Sequence, residues 1–179
     1  MSRLMSQLPF HLPPDDALSR APGQADWEVL ARRLRRIATA LTRSGSDADD
    51  LVQQTIAALL TKAPGQADHF GYARRTLVRL WLDRQRSLRR RMALLARRAA
   101  ATASLFVPAD RMEGEELAAR AREAVESLPA RQRAVFVLRV VEELEYAQIA
   151  EELSCDIHAV RANLHLARAT LRRALGEEP

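Results

Sequence analysis

Residues 146–168 read YAQIAEELSCDIHAVRANLHLAR, with two helical patterns on either side of a short turn at Ser154 to Asp156. Ala150 lies where the two helices would cross closely, and only a small side chain fits at such a crossing. This spacing is typical of a DNA-reading helix-turn-helix, although an ordinary helical hairpin shares it. The residues expected to face inward are Ile149, Ala150, Leu153, Ile157, Val160 and Leu164.

The outward face of the second helix carries groups suited to nucleic acid. Arg161 and Asn163 have the donors and acceptors that read guanine and adenine in the major groove. Arg172 and Arg173 lie further along, and with Arg168 they suit phosphates. The residues expected to contact DNA are His158, Arg161, Ala162, Asn163, His165 and Arg168.

Helical periodicity extends upstream of this motif and through the N-terminal half of the chain. A pattern that begins near Glu115 breaks at Pro129 and then resumes. In the N-terminal half, helices are predicted from about Asp26, from Asp47 behind an N-cap at Ser46, and from about Phe70. No alternating strand pattern rises above the helical one, so the sequence predicts an all-α protein.

The periodicity fades between Arg97 and about Gly114, and we interpret this stretch as a linker. A chain of 179 residues is long enough for two small domains, each with a modest apolar core. The expected organisation is a flexible N-terminal tail (1–24), a first helical domain (25–97), a flexible linker (98–113) and a second helical domain (114–179).

The charge of the chain is positive, at +5, and it is unevenly distributed. Lys62 is the only lysine, and a coding bias towards arginine would explain that. It would not explain residues 70–98, which hold ten arginines against the single acid Asp83. Such a cationic field indicates a nucleic-acid partner, with a solvated face, an RNA site or an acidic-lipid patch as alternatives.

Several classes of protein are disfavoured. Cys155 is the only cysteine, so no intramolecular disulfide can form and a cytoplasmic location is expected. No apolar run approaches the roughly 20 residues of a membrane span, and the N-terminus lacks a signal-peptide stretch. The spacing of Cys155, His158 and His165 fits no standard zinc pattern, and no Walker loop or Gly-x-Ser-x-Gly motif is present. We therefore expect no enzyme, no metal, no cofactor and no membrane insertion.

Two segments about eighty residues apart, DADDLVQQ from Asp47 and LPARQR from Leu128, carry a family resemblance together with the helix-turn-helix. With the run VFVLRVVEEL from Val135, they resemble bacterial sigma factors of the extracytoplasmic-function (ECF) class, group IV of the sigma-70 superfamily. The resemblance covers roughly residues 26–91 and 114–175. It implies sigma domains two and four, binding to core RNA polymerase, and promoter-specific transcription initiation.

The resemblance also implies roles for particular residues and partners. In the family, exposed acids and amides of a domain-two helix contact the beta-prime clamp, which here implies Asp47, Asp49, Asp50, Gln53 and Gln54. The helix that follows melts the promoter and reads the −10 element, which implies Tyr72, Arg75, Arg79, Asp83, Arg84, Arg86 and Arg90. Domain four is expected to bind the beta flap and read the −35 element. An anti-sigma factor that covers the polymerase-binding surfaces is a further implied partner.

Three positions depart from the family pattern. Arg79 stands where an asparagine precedes Asp83, Glu145 where a serine or threonine cap is usual, and Ser154 where the turn usually has glycine. Two other functions therefore remain open. One is a helix-turn-helix regulator that binds a two-fold symmetric duplex site without polymerase. The other is a degenerate sigma-like subunit that occupies polymerase or an anti-sigma factor without initiating.

Overall fold

The computed structural model describes residues 24–62, 69–98 and 113–176, and these residues form α-helices and no strand. The predicted all-α fold is confirmed. Nearly all of the predicted N-terminal tail and of the predicted linker lies outside the described residues, and Gln24, the last residue of the predicted tail, begins the first helix. The helices are α1 (Gln24–Leu41), α2 (Gly45–Lys62), α3 (His69–Arg98), α4 (Glu113–Ser127), α5 (Ala130–Val140), α6 (Tyr146–Glu152) and α7 (Ile157–Leu175).

Helices α1 to α3 pack as an N-terminal bundle. Each contributes one apolar stripe, and α1 supplies its buried residues at the three- and four-residue spacing that the sequence predicts. Full burial of a large apolar side chain contributes about 1.5–3 kcal/mol relative to leaving it exposed, so these stripes favour packing of the three helices. Its largest fully buried side chains include Leu30, Leu34, Ile37, Leu41, Leu51, Leu59, Leu77 and Trp81.

The start of α2 differs from the sequence prediction. The Asp47 backbone N–H donates to Ser44 Oγ at 3.1 Å, so Ser44 caps the helix and Ser46 does not. Because α2 already begins at Gly45, Ser46 falls within the first turn, where its Oγ lies 3.1 Å from that of Ser44. The cap keeps Asp47 in the first turn, where a carboxylate is stabilised by the helix dipole.

Helices α4 to α7 form a C-terminal bundle that contains the predicted helix-turn-helix as α6 and α7. Asp156 Oδ1 accepts from the Ala159 N–H at 2.6 Å and caps α7, which ends at Gly176 with a left-handed φ of 74°. The predicted inward residues are buried or partly buried except for Ile157, which is 39% exposed. Ile157 is the first residue of α7, and side chains lean towards a helix N-terminus, so it extends beyond the crossing with α6.

The two family departures around α6 are each accommodated. The Glu145 N–H donates to Gln148 Oε1 at 2.8 Å, so the start of α6 is satisfied by a residue one turn later. Ser154 takes a left-handed φ of 50°, the conformation that favours glycine. The Cys155 N–H then donates to the Ala150 carbonyl at 2.9 Å and closes the turn. The fold is kept, at the cost of a strained Ser154.

The two bundles pack directly against each other through α5, which contacts α1 and α3. The apolar core of the N-terminal bundle continues without a break into Ala134, Val135, Leu138 and Ile149. A smaller core of Ala124, Leu128, Ala167 and Leu171 lies behind it, between α4 and α7. Across the three described stretches, no helix has the length and apolar character needed to cross a membrane.

Candidate nucleic-acid and polymerase interfaces

The outer face of α7 is open to solvent. Four of the six residues predicted to contact DNA there are exposed: His158, Arg161, Ala162 and His165. The Arg161 guanidinium lies over the Tyr146 ring, 5.8 Å from its centroid, which orients it with a weak cation–π contact. This face can enter a DNA groove with its guanidinium and imidazole groups directed towards the bases.

The other two predicted residues of α7 are half-buried. Asn163 Nδ2 donates to the Ala159 carbonyl at 2.8 Å, so its amide lies along its own helix. Arg168 Nε is buried and has no hydrogen-bond partner among the described residues. To reach a base, Asn163 must exchange this internal hydrogen bond for one to DNA.

The acidic start of α2 divides into paired and unpaired positions. Asp49 forms a two-point ion pair with Arg35, at 2.9 and 3.1 Å, and Asp47 pairs with Arg84 of α3 at 2.5 Å. The remaining predicted residues, Asp50, Gln53 and Gln54, are exposed on one face. Leu60, which is 61% exposed, lies further along the helix.

Sequence reasoning missed Leu60 as a candidate contact. The available signal was spacing, because Leu60 lies seven residues after Gln53 and helical periodicity places both on one face. Leu59 is buried, whereas Leu60 is exposed on the helix that also exposes Asp50, Gln53 and Gln54. Exposed amides beside an exposed leucine suit a protein partner better than DNA.

The arginines of α3 are held in different ways. Arg79 and Arg90 are exposed, Asp83 pairs with Arg86 within the helix, and Tyr72 is half-buried against the N-terminal core. The described side chains from Arg86 to Leu95 are all exposed, and they include Leu88, Met92, Leu94 and Leu95. The predicted cationic surface of α3 is therefore present over the second half of the helix, where these apolar side chains are exposed beside the arginines.

The first turns of α3 instead contact the C-terminal bundle. Arg74 Nη2 lies 3.0 Å from Glu152 Oε2, and Arg74 Nη1 lies 3.8 Å from Glu142 Oε2. Arg36 of α1 reaches the same place, 2.8 Å from Glu142 Oε1, and also donates to the Val141 carbonyl at 2.9 Å. We call these four side chains, Arg36, Arg74, Glu142 and Glu152, the cross-bundle cluster.

The cross-bundle cluster is withdrawn from water. The side chains of Glu142 and Glu152 are 2% and 3% exposed, and those of Arg36 and Arg74 are 16% and 15% exposed. Burial raises the pKa of Glu152 above its usual value, and the hydrogen bonds from Arg74 oppose that shift without cancelling it. At the rim, Arg75 pairs with the exposed Glu151 at 3.0 Å, so one predicted DNA contact already has a carboxylate partner.

Arg133 forms a second connection between the bundles. It is 7% exposed, and its Nη1 donates to the Leu41 carbonyl of α1 at 2.9 Å. Its Nη2 donates to the carbonyls of Glu126 and Leu128, and its guanidinium lies 5.6 Å from the Trp81 ring centroid. Burial, reinforced by nearby Arg43 as a like charge, lowers the pKa of Arg133 below its usual value.

The burial and pairing of the residues in the cross-bundle cluster are hard to predict from the sequence. Arg36 and Arg74 look like other arginines on cationic helices, and Glu142 and Glu152 look like solvated acids. The available signal is their position beside apolar residues, since Glu142 follows Val140 and Val141 and Glu152 precedes Leu153. Across the described parts of the chain, no cluster of three or more His, Cys, Asp or Glu side chains could hold a metal ion.

Comparison with known proteins gives two family matches in chain order. Sigma-70 region 2 matches residues 27–91, and Sigma-70, region 4 matches residues 118–171. The fold is similar to the co-crystal structure of the sigma factor RpoE in complex with the anti-sigma factor NepR from Bartonella quintana. That likeness has a TM-score of 0.64 and 19% sequence identity, and covers 87% of this chain and 98% of that chain.

A curated relative is similar in sequence as well. The ECF RNA polymerase sigma factor SigE of Mycolicibacterium smegmatis is 30% identical over 172 residues, which is 90% of this chain. The chain spans 66% of the length of that relative. Both matched regions occur in the order that the sequence motifs predict, so the chain belongs to the sigma-70 family as a sigma factor of the ECF class.

Proposed function

We propose that this chain binds core RNA polymerase and directs promoter-specific transcription initiation. The observation that carries the proposal is the presence of both sigma regions, 2 and 4, in one chain. The proposal keeps the expected domains at 25–97 and 114–179, and it assigns α3 to the −10 element and α7 to the −35 element. The proposed function requires no cofactor and no catalytic residue of this chain. It would take place in the cytoplasm.

At the −35 element, α7 would lie in the major groove with its exposed face towards the bases. Arg161 has the two-pronged guanidinium that pairs with guanine, and one such contact contributes about 1–3 kcal/mol of discrimination. Arg173, exposed near the C-terminal end of α7, would bind phosphate and fix the register. The exposure of His158, Arg161 and His165 supports this docking.

At the −10 element, α3 would hold the separated non-template strand. Taking one base out of the stack costs a few kcal/mol, and arginine contacts to phosphates offset that cost. Arg79, Arg86 and Arg90 are exposed on α3, and they support this role. With Arg79 in place of the family asparagine, we expect phosphate contacts to contribute more here than base reading.

The polymerase contact would use the exposed face of α2. Asp50, Gln53, Gln54 and Leu60 combine amide, carboxylate and apolar groups that suit the beta-prime clamp. Asp47 and Asp49 would act mainly by positioning Arg84 and Arg35 beside that face. The C-terminal bundle would contact the beta flap.

An anti-sigma factor is a further proposed partner. The structural relative RpoE was captured in complex with the anti-sigma factor NepR. The open faces of α2 and α7 offer such a protein surfaces to cover, which would block polymerase and promoter together.

The decisive experiment mixes the purified protein with sigma-free core polymerase and a genomic promoter library, and maps transcript starts by sequencing. Starts that share a spaced pair of upstream elements are the expected result. Asp50→Ala with Gln53→Ala should weaken binding to core by roughly tenfold, because two contacts are lost at an interface. The matched control, Glu28→Ala on the exposed side of α1, should bind like the wild type.

Two outcomes would contradict the proposal. Binding to core without specific starts would favour a degenerate sigma-like subunit. Specific duplex binding without any binding to core would favour an independent helix-turn-helix regulator.

A further inference from the structure

Leu166 is an exposed apolar side chain on the helix face that is proposed to read DNA. It is 51% exposed near the middle of α7, and it belongs to neither apolar core of the described chain. A single exposed leucine is common on protein surfaces, so exposure alone assigns it no function. Its position on α7 decides what it can contact.

The register of α7 directs Leu166 away from the rest of the protein. The buried residues of α7 recur every three or four positions and form one stripe, namely Val160, Leu164, Ala167 and Leu171. Leu166 lies on the other side of the helix from this stripe. Ala162, four residues before it, and Arg173, seven residues after it, are exposed on the same face. His158 and His165 are exposed beside them.

Leu166 extends towards the half of α7 that would contact bases. Helical side chains lean towards the N-terminus, so a residue covers the turn that precedes its own Cα. For Leu166 that turn contains Ala162, whose side chain is a single methyl group. Base contacts of a recognition helix come mainly from its N-terminal residues, and Ala162 is the sixth residue of α7. Ala162 and Leu166 therefore form one apolar spot at the level where base edges would lie.

The base edges in the major groove offer one good match for this apolar spot. Guanine, adenine and cytosine present hydrogen-bond donors or acceptors there, and a leucine placed against them would leave those groups without partners. Thymine adds a C5-methyl group to its acceptor. Contact between that methyl group and a leucine side chain removes apolar surface of both from water. The chemistry of the apolar spot therefore fits thymine better than the other three bases.

We propose that Leu166, beside Ala162, reads the C5-methyl group of one thymine in the −35 element and is thus a specificity-determining residue of α7. The inference rests on the proposed function of α7 and deepens it. Arg161 would select guanine by donating two hydrogen bonds, whereas Leu166 selects thymine by apolar contact alone. The reading face thus combines two kinds of recognition that respond to different chemical changes in the DNA.

The experiment changes the methyl group on the DNA before it changes the protein. The full-length chain, alone and with core polymerase, selects duplexes from a random-sequence pool. Each thymine of the selected upstream element, on either strand, is then replaced in turn by deoxyuridine, which keeps the hydrogen-bonding groups of thymine and lacks its methyl group. At one position, competition binding should show a loss of affinity of roughly fourfold, which corresponds to one buried methyl group.

Variants of Leu166 identify the side chain that senses the methyl group. Leu166→Ala should remove the deoxyuridine penalty, so that thymine and deoxyuridine duplexes bind equally. Leu166→Met, which keeps an apolar side chain of similar volume, should retain most of the penalty. Val29→Ala is the matched control, because Val29 is an apolar residue 38% exposed on α1, and it should show the full penalty.

A second measurement adds the methyl group to a different base. In the wild type, exchanging the sensitive T·A pair for C·G should weaken binding. Replacing that cytosine by 5-methylcytosine should recover roughly fourfold, because the methyl group returns to the same place in the groove. Leu166→Ala should show no such recovery.

The proposal is overturned if no thymine shows the penalty in the wild type, or if the penalty persists in Leu166→Ala. It is also overturned if Leu166→Ala weakens only binding to core polymerase, which would indicate that Leu166 contacts a protein. Failure of the proposed function has a different result, namely a selected element with a Leu166-dependent penalty that directs no transcript starts. Failure of this inference alone leaves specific starts intact, with a penalty that is absent or independent of Leu166.

Discussion

The two helices proposed to contact promoter DNA, α3 and α7, both carry arginines but hold them differently. On α7, Arg161 leans on the Tyr146 ring and faces solvent. On α3, Arg74, Arg75, Arg84 and Arg86 each lie against a carboxylate, and three of those carboxylates come from another helix. Arginines that look equivalent in sequence thus differ in availability, because their partners come from distant parts of the chain.

The largest effect is expected where the two regions are joined. Arg133→Met should lower the free energy of unfolding by about 2–4 kcal/mol, because the carbonyls of Leu41, Glu126 and Leu128 lose a buried donor. Urea denaturation of the full chain measures it. Arg131→Met, exposed in the same helix, should change stability by less than about 0.5 kcal/mol. Similar losses for both variants would mean that the bundles are not coupled through Arg133.

The next effect contrasts the arginines of α7 and α3 on DNA. Arg161→Ala should cost about 1–3 kcal/mol of discrimination at one base pair of the −35 element, because a base-edge contact is lost. Arg86→Ala should weaken binding of holoenzyme to all promoters alike and reduce the salt dependence. Competition binding across single-base promoter variants separates the two. A loss of affinity that depends on the base pair with Arg86→Ala would mean that α3 reads bases as α7 does.

A smaller effect concerns the turn that sets α7 against α6. Ser154→Gly should stabilise the chain by about 0.5–1 kcal/mol, because glycine takes the left-handed φ of 50° without a Cβ clash. Thermal unfolding measures it. Ser87→Gly, at an exposed position inside α3, should instead destabilise by about 0.5 kcal/mol, since glycine is less favourable than serine within a helix. A loss of stability with Ser154→Gly would show that the Ser154 hydroxyl has a structural role.

The smallest effect is a pH dependence in the cross-bundle cluster. The pKa of Glu152 is raised in the folded chain, mainly by burial, so the folded state binds this proton more tightly than the unfolded state. The stability linked to Glu152 is therefore fully present below its unfolded pKa and is lost as pH rises through the raised folded pKa. The unfolding free energy of the wild type minus that of Glu152→Gln should fall by less than about 1 kcal/mol over this window. A difference that rises with pH would mean that the Arg74 ion pair outweighs burial.

The helices and the helix-turn-helix could be predicted from sequence because their signals are local. Periodic apolar residues, Pro129 and the Ser154 turn each act within a few positions. The same local signals predicted candidate contact residues, of which four on α7 and three on α2 are exposed in the structure. The two wrong predictions, Ile157 as an inward residue and Ser46 as an N-cap, are also local. Both residues lie at helix starts, where a shift of one or two positions changes whether a side chain is buried or caps the helix.

The contacts between the bundles could not be predicted in this way. Arg36 and Glu142 are over a hundred positions apart, and the apolar neighbours of Glu142 do not indicate which cation it contacts. Arg133 belongs to a segment that carries the family resemblance, yet its contact with the Leu41 carbonyl depends on how two cores meet. Burial of a charge is a property of the assembled chain, so spacing alone does not reveal it.

The environment of Arg133 also bears on how this sequence can drift. With Lys62 as the only lysine among 28 cationic residues, the chain reflects a strong preference for arginine, and at most exposed positions lysine would keep the charge. At position 133 the planar guanidinium donates in two directions at once, to Leu41 on one side and to Glu126 and Leu128 on the other. A lysine ammonium is compact and cannot span them. If mutation pressure in a lineage turned towards lysine, exposed arginines would be replaced by lysine while Arg133 was retained.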